Sequence, residues 1–307
     1  MSAAVGRFAP TPSGRLHLGN ILCAMLAWLS ARSQGGRILL RIEDVDVPRC
    51  PEANTRACLE DLAWLGFDWD GPTVFQRERT QAYEEALYRL GEMSLTYPCF
   101  CTRARLHPEA APNLGDTQSV YPGTCRRLTF TERIAGQLSR RAATRLMVPD
   151  RDVTFTDGLQ GTVTENLARD CGDFVLKRSD GLFGYQLACV VDDIDAGVTE
   201  VVRGRDILSA TPRQIYLYEC LGGQPPRYIH IPLLTSPDGR RLAKRDRDLG
   251  IPSLSKRYTP EDIFGMLAFA CGLRGTPAAA SLRELAAEFD WTRVHSEDAR
   301  LPDTFIA

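Results

Sequence analysis

The chain has 307 residues, 44% of them hydrophobic, and a formal net charge of −2 at neutral pH, so it can build one large or two modest domains with a full core. That charge excludes a global field for nucleic acid, and any RNA contact must come from local basic patches such as Arg126 with Arg127, Arg140 with Arg141, or the run 240–247. No apolar run of about 18 residues and no cleavable leader opens the chain, which excludes a membrane span there and predicts a cytoplasmic protein.

In chain order, the hydrophobic pattern predicts a strand over 4–9, a helix over 18–33, a strand over 37–43 and a helix over 52–65. Pro51 near the first turn of that last helix and Gly66 just past its end suit a helix start and stop. A further helix is expected over 78–92. From Cys99 to about Asp170 the pattern turns irregular and strand-rich, which reads as an insertion. Alternation then resumes with a strand over 173–177, a helix over 185–191, a strand over 198–202, a helix over 211–221 and a strand over 228–234. Helical patterns over 261–273 and 281–289 lead into a tail that reads as frayed. Such alternation is the mark of an α/β fold with a parallel sheet, and ligands of such sheets sit outside the carboxyl ends of the strands at a topological switch point.

Between the first strand and the first helix lies P-T-P-S-G-R-L-H-L-G-N, Pro10 to Asn20. A helix N-terminus offers unpaired N–H groups and partial positive charge, Gly19 leaves no side chain to block a flat ring, and His17 can donate to a phosphate oxygen. The segment therefore suits a nucleotide, although a capped helix with a buried His fits the same string. Far downstream, T-S-P-D-G-R-R-L-A-K-R-D (Thr235 to Asp246) places a Gly-containing turn before a cluster of basic residues, which alone is equally a solvated loop.

Taken together, these two strings resemble the signatures of the class I aminoacyl-tRNA synthetases. His17 to Asn20 stands for the HIGH-type motif and Arg241 to Arg245 for the KMSKS-type loop, with Lys244 on the key lysine, Ala243 in place of the usual Ser and Arg241 in place of the first Lys. Four further segments are similar to the glutamyl branch: Arg7 to Gly14, Arg41 to Asp46, Tyr185 to Asp193 and Val201 to Leu208. Only 63 residues follow Lys244, too few for the helical anticodon-binding region of a full glutamyl-tRNA synthetase, so the chain resembles the truncated glutamyl-queuosine tRNA(Asp) synthetase family.

The resemblance implies a Rossmann-type catalytic core in two halves, 1–98 and 171–250, a zinc-containing insertion over 99–170, and a short helical C-terminal region over 251–307 with no anticodon-binding domain. It implies a monomeric ligase that uses ATP with Mg²⁺ and L-glutamate and acts on tRNA(Asp) containing queuosine. Catalysis falls to His17 and Lys244, and ATP binding to these two with Gly19 and Asn20. Glutamate falls to Arg7, Ala9, Thr11, Glu43, Tyr185 and Arg203. Three other functions stay open: a short glutamyl-tRNA synthetase charging tRNA(Glu), a small-molecule ligase or nucleotidyltransferase, and a non-catalytic zinc-containing RNA-binding paralogue.

The chemistry agrees with those residue types. The α-carboxylate of glutamate is ionised at neutral pH and needs no general base to attack the α-phosphate, so positioning and charge stabilisation carry the step. An ammonium wants a carboxylate, which Glu43 at a strand end can supply unless a salt bridge to Arg41 or Arg7 uses it. A side-chain carboxylate wants a guanidinium fork, which rejects the neutral amide of glutamine.

Ten cysteines without a secretory leader point to reduced thiols or a metal rather than disulfides. Cys23, Cys58, Cys189 and Cys220 lie in apolar runs and read as core. Cys99 and Cys101, two apart on an extended segment, and Cys125 after a Pro- and Gly-rich loop can converge on one tetrahedral zinc. Its fourth ligand is His107 on ordinary coordination chemistry, or Tyr121, which the family resemblance favours; reduced cysteines without metal are the remaining alternative. A structural zinc would contribute on the order of 10 kcal/mol to folding.

Overall fold

A computed structural model of the chain describes residues 3–102, 120–236 and 250–302. The first half runs β1 (Val5–Phe8), α1 (Leu18–Ser33), β2 (Arg37–Ile42), α2 (Glu52–Trp64), β3 (Val74–Phe75), α3 (Thr80–Glu92) and β4 (Thr96–Cys99). Then follow α4 (Phe130–Ser139), β5 (Ala143–Leu146), β6 (Asp152–Asp157), β7 (Gly161–Asn166) and β8 (Phe174–Lys177). The second half continues with α5 (Tyr185–Asp195), β9 (Glu200–Gly204), α6 (Thr211–Leu221), β10 (Arg227–Ile231) and β11 (Leu234–Thr235). The chain closes with α7 (Ile251–Leu254), α8 (Pro260–Ala270), α9 (Leu282–Ala287) and β12 (Ala299–Arg300).

Five strands form one parallel sheet in the order β10-β9-β1-β2-β3. The chain leaves β1 toward β2 and β3 and later returns to the other side of β1 with β9, so the order reverses there. A crevice opens where the crossovers diverge, at the carboxyl ends of β1 and β9, as the alternating pattern led us to expect.

Helix α1 fixes that crevice. Leu18, Ile21, Leu22, Met25, Leu26 and Leu29 are all buried, each worth about 1.5–3 kcal/mol of transfer free energy. The helix packs on β1, β2 and β9 and also against α8 and α9, which explains why its apolar residues run nearly all the way round. A second core joins α3, α5 and α6 to β5 and β8 through Tyr83, Leu146, Leu176, Leu187 and Leu217.

Apart from the parallel sheet, β4, β5 and β8 form an antiparallel sheet, and β6 pairs with β7 in a hairpin from Asp152↔Asn166 to Asp157↔Gly161. Helix α4 interrupts the expected strand-rich stretch. It opens with a capping box in which Thr129 Oγ1 accepts from the Glu132 N–H, a signal outweighed by the irregular pattern around it.

Two expectations at the C-terminal end need correction. The strand expected over 228–234 ends at Ile231, and Leu234–Thr235 pairs instead with Ala299–Arg300 in a parallel two-stranded sheet. The tail is therefore not frayed there: Leu301 is buried and its N–H donates to Thr235 O at 3.0 Å. Nothing local to residues 290–302 announces a strand whose partner lies some 65 residues earlier. Among the described residues, no helix is long and apolar enough to cross a membrane.

Candidate active site

A cavity of about 1100 Å³ opens at the carboxyl end of the parallel sheet. Arg7 and Ala9 reach it from β1 and its exit, Thr11 from the following loop, His17 and Asn20 from the start of α1, Glu43 from the end of β2, Tyr185 from α5 and Arg203 from β9. Gly19 is not in the lining. A Cβ there would stand 3.2 Å from Cε1 and Nδ1 of His17, so the room a glycine leaves is taken by the His17 ring itself.

His17 caps α1 in an extended conformation, and its backbone N–H donates to Asn20 Oδ1 at 3.2 Å. Asp61 of α2, only 1% exposed, steadies the approach to it: its two carboxylate oxygens accept from Arg15 Nη1 at 2.7 Å and from the Leu16 N–H at 3.0 Å. Strand β11 ends at Thr235, where the basic string starts. Lys244, Arg241 and Ala243 lie outside the described residues, as does His107.

One end of the cavity is a network of buried charges. Arg41 pairs with Asp193 through Nη1 and, at 3.2 Å, with Glu43 through Nη2. Glu43 also accepts from Thr11 Oγ1 at 3.3 Å, so the carboxylate expected for an ammonium already carries one ion pair while still facing the cavity. Burial raises the Glu43 pKa, against the pull of Arg41 and Arg7. Asp193 moves the other way: burial opposes its charge, but Arg41 and Arg7 hold its pKa below the ordinary value. Arg7 Nε is 3.7 Å from Asp193, and its Nη1 donates to Val202 O at 3.3 Å.

Arg203 differs. It is 3% exposed, and among the described residues its hydrogen bonds all end on neutral groups: Nε on His230 Nε2 at 2.9 Å, Nη1 on Gln214 Oε1 at 2.6 Å and Nη2 on Thr211 Oγ1 at 2.7 Å. A buried guanidinium oriented by three neutral partners keeps its charge for an anion entering the cavity. Tyr185, 36% exposed, starts α5 just after Gly184, where a Cβ would meet Val175 O at 2.4 Å; the close approach of helix to strand sets that ring at the cavity.

The cysteines converge beside Tyr121, which lines another edge of the same cavity while the three thiols themselves do not. The thiols of Cys99, Cys101 and Cys125 lie within 4.8 Å of one another. Tyr121 OH stands 3.5 Å from Cys99 Sγ and 3.6 Å from Cys101 Sγ, and the Cys101 and Cys125 sulfurs are 3.6 Å apart. Tetrahedral zinc bonds to sulfur and oxygen place ligand atoms roughly 3.5–3.8 Å apart, so the three thiols could hold one ion, and Tyr121 OH lies at such a spacing from two of them. The Phe100 N–H donates to Cys125 Sγ at 3.3 Å, the kind of outer support a thiolate ligand receives. Of the basic pairs, Arg126 binds Val148 O and Asp173, Arg127 binds Pro122 O, and Arg140 reaches Phe100 O.

Of the residues singled out from the sequence, Arg7, Ala9, Thr11, His17, Asn20, Glu43, Tyr185, Arg203 and Tyr121 line the cavity, Gly19 does not, and the groups behind them were missed. Asp193 lay inside the quoted segment Tyr185 to Asp193 without an assigned role, and Asp61, Asp157, His230, Thr211 and Gln214 carried no local signal.

The catalytic-domain family described as class I tRNA synthetases (E and Q) matches residues 4–299. The chain is 46% identical over 314 aligned residues to the glutamyl-Q tRNA(Asp) synthetase of Symbiobacterium thermophilum, covering 98% of this chain and 97% of the relative. It is 48% identical over 279 residues to that of Nitratidesulfovibrio vulgaris, covering 87% and 86%. Among solved structures, glutamate-tRNA synthetase from Elizabethkingia anophelis superposes with a TM-score of 0.85 at 26% identity over 99% of this chain and 69% of its own. The glutamate tRNA ligase of Elizabethkingia meningosepticum, in complex with its amino acid, gives 0.84 at 27%, over 99% and 68%.

Proposed function

We propose, for a chain that belongs to the class I glutamyl and glutaminyl tRNA synthetases and within them to the glutamyl-Q tRNA(Asp) synthetases, that it forms glutamyl-adenylate and transfers glutamate to the queuosine base in the anticodon of tRNA(Asp). The family makes it a ligase with glutamate, ATP and tRNA as substrates. One observation carries the choice of amino acid: Arg203, buried with only neutral hydrogen-bond partners, faces a cavity that Glu43 also lines. A ligand with one ammonium and a second carboxylate satisfies both ends.

In this reading Arg203 and Arg7 receive the side-chain carboxylate, Glu43 with Thr11 and Ala9 surrounds the ammonium end, and Tyr185 hydrogen-bonds the amino acid. The α-carboxylate then attacks the α-phosphate of ATP, and pyrophosphate leaves. His17, the α1 N-terminus with Gly19 and Asn20, and Lys244 stabilise charge on the phosphates. Mg²⁺ carried with ATP supplies further neutralisation. Cys99, Cys101, Tyr121 and Cys125 hold one structural zinc. The division into catalytic halves at 1–98 and 171–250, an insertion over 99–170 and a C-terminal region over 251–307 belongs to the same reading, as do a monomeric state and a cytoplasmic location.

The test is transfer of labelled glutamate to purified tRNA(Asp) with and without queuosine, beside tRNA(Glu). Labelling confined to queuosine-containing tRNA(Asp) is expected. Labelling of tRNA(Glu) at its acceptor end would make the chain a short glutamyl-tRNA synthetase instead.

A further inference from the structure

Behind Arg203 stands a buried pair that neither the motif strings nor the ligand-facing residues account for. The side chains of His230 on β10 and Asp157 at the end of β6 are both 0% exposed, and Asp157 Oδ2 accepts from His230 Nδ1 at 2.6 Å. The other oxygen, Oδ1, is already occupied by the N–H groups of Leu159, Gln160 and His230 at 3.0, 2.9 and 3.1 Å. The hairpin turn thus fixes the carboxylate, and the carboxylate fixes the ring with its proton on Nδ1. Nε2 is left as an acceptor, and it faces Arg203 Nε at 2.9 Å and the Thr211 hydroxyl at 3.2 Å.

We propose that His230 and Asp157 are positioning residues for amino-acid selection, holding Arg203 in one orientation through a neutral ring so that no carboxylate touches its guanidinium before the substrate does. This rests on the glutamate reading above. A carboxylate in place of the ring would orient Arg203 equally well but would pair with it. The site would then lose the unmatched charge that separates glutamate from glutamine. Interposing the imidazole keeps the orienting hydrogen bond and moves the negative charge a ring's width away.

The arrangement requires a neutral ring, because a proton on Nε2 would oppose the Arg203 N–H. The charged and titratable groups around the ring are Asp157 from β6, Arg203 from β9, Arg7 from β1 and Tyr228 on its own strand. Burial foremost, then Arg203 and Arg7, lower the His230 pKa, against the pull of Asp157. The ring is therefore neutral at physiological pH and gains its proton only on acidification.

The experiment is ATP–pyrophosphate exchange by the full-length enzyme with glutamate or glutamine, from about pH 5 to 8.5. His230→Ala, His230→Gln and Asp157→Asn are compared with wild type, and thermal melting checks folding. Gln places an amide oxygen near the position of Nε2 and does not titrate. His230→Ala is expected to raise the KM for glutamate about 10-fold or more, the scale of one hydrogen bond to a charged group, while the KM for ATP stays within about twofold. Asp157→Asn, which frees the ring to take the other tautomer, should move in the same direction. His230→Gln should recover most of the loss and abolish the rise in glutamate KM that wild type shows at acid pH. An unchanged glutamate KM and glutamate-to-glutamine ratio in folded His230→Ala would overturn the proposal, and so would a His230→Gln enzyme no better than His230→Ala. If His230→Ala does not fold, His230→Gln decides: wild-type KM without the acid rise supports the proposal, and wild-type KM with that rise overturns it. Wild-type enzyme inactive with glutamate would instead overturn the functional reading beneath it.

Discussion

Arg203 and Arg7 reach the same cavity, but Arg7 shares Asp193 with Arg41 whereas Arg203 ends on His230, Gln214 and Thr211. Arg203→Lys keeps a charge but cannot satisfy three partners fixed around a planar fork, so its ammonium will be displaced and the substrate carboxylate half-paired. The expected result is a loss of about 10- to 100-fold in exchange efficiency with glutamate and a smaller loss with glutamine. An unaltered ratio would place the side-chain pocket elsewhere. Asp193 carries a second prediction. Its folded-state pKa lies below the ordinary carboxylate value, so it contributes stability above about pH 4 that is lost as pH falls through the lower, folded value. Asp193→Asn should cost about 3–5 kcal/mol near neutrality by leaving Arg7 and Arg41 under-compensated, and the gap to wild type in denaturant melts should close below about pH 4. A gap constant with pH would mean that Asp193 is not the ionised partner. Residues of this kind are hard to read from sequence. Arg41 and Asp193 are 152 positions apart, and His230 and Asp157 are 73 apart. Arg7, Glu43, Tyr185 and Arg203 were legible as cavity-lining positions because they fall in strings similar to a known family. Of their partners, the salt bridge from Glu43 to Arg41 stood as an alternative, and the structure shows it, whereas Asp193, His230, Thr211 and Gln214 were not visible.

Elements were legible where one face or one strand alternation dominated, as in α1, expected and found over 18–33. They were less legible over 99–170, where short strands pair antiparallel and α4 buries none of its residues. The proposed zinc site belongs to this scale, because its cysteine cluster and Tyr121 are brought together by β4, the turn at Cys125 and a segment packed on Gly172. Gly172 has φ +66 with ψ 169, a region essentially closed to other residues, and a Cβ there would stand 2.9 Å from the Tyr121 backbone nitrogen. Gly172→Ala should therefore push Tyr121 away from the three thiols and cost about 1–3 kcal/mol of backbone strain. Metal analysis of purified protein should give one zinc per wild-type chain, little in Cys99→Ser or Cys125→Ser, and faster loss to a chelator in Tyr121→Phe and Gly172→Ala. Full retention in Tyr121→Phe would remove Tyr121 from the ligand set.

At the scale of the whole molecule, the alternation of strands and helices over 4–65 and 173–231 was legible and the closure of the chain was not. The last described residues return across the sheet's end. Ala299–Arg300 pairs with β11, Leu301 is buried, Asp298 binds Arg205 at 2.8 Å, and the Leu233 N–H donates to Asp298 at 3.1 Å. Strand β11 thus has its pairing partner at the far end of the chain, and it is β11 that leads directly into the basic string carrying Lys244. Arg205 in turn follows β9 and neighbours Asp206, which lines the cavity. The C-terminal segment therefore anchors both the strand before the string that carries Lys244 and the turn beside the cavity. Deleting residues 296–307 should lower the melting temperature by several degrees, about what a loss of 1–2 kcal/mol produces in a domain of this size. It should also reduce the maximal rate of glutamate-dependent pyrophosphate exchange more than it raises the KM for glutamate, because a Lys that stabilises the phosphates counts mainly in the transition state while Arg203 keeps its own partners. An exchange rate equal to wild type in a deletion that melts early would mean that β12 supports the fold and leaves Lys244 unaffected.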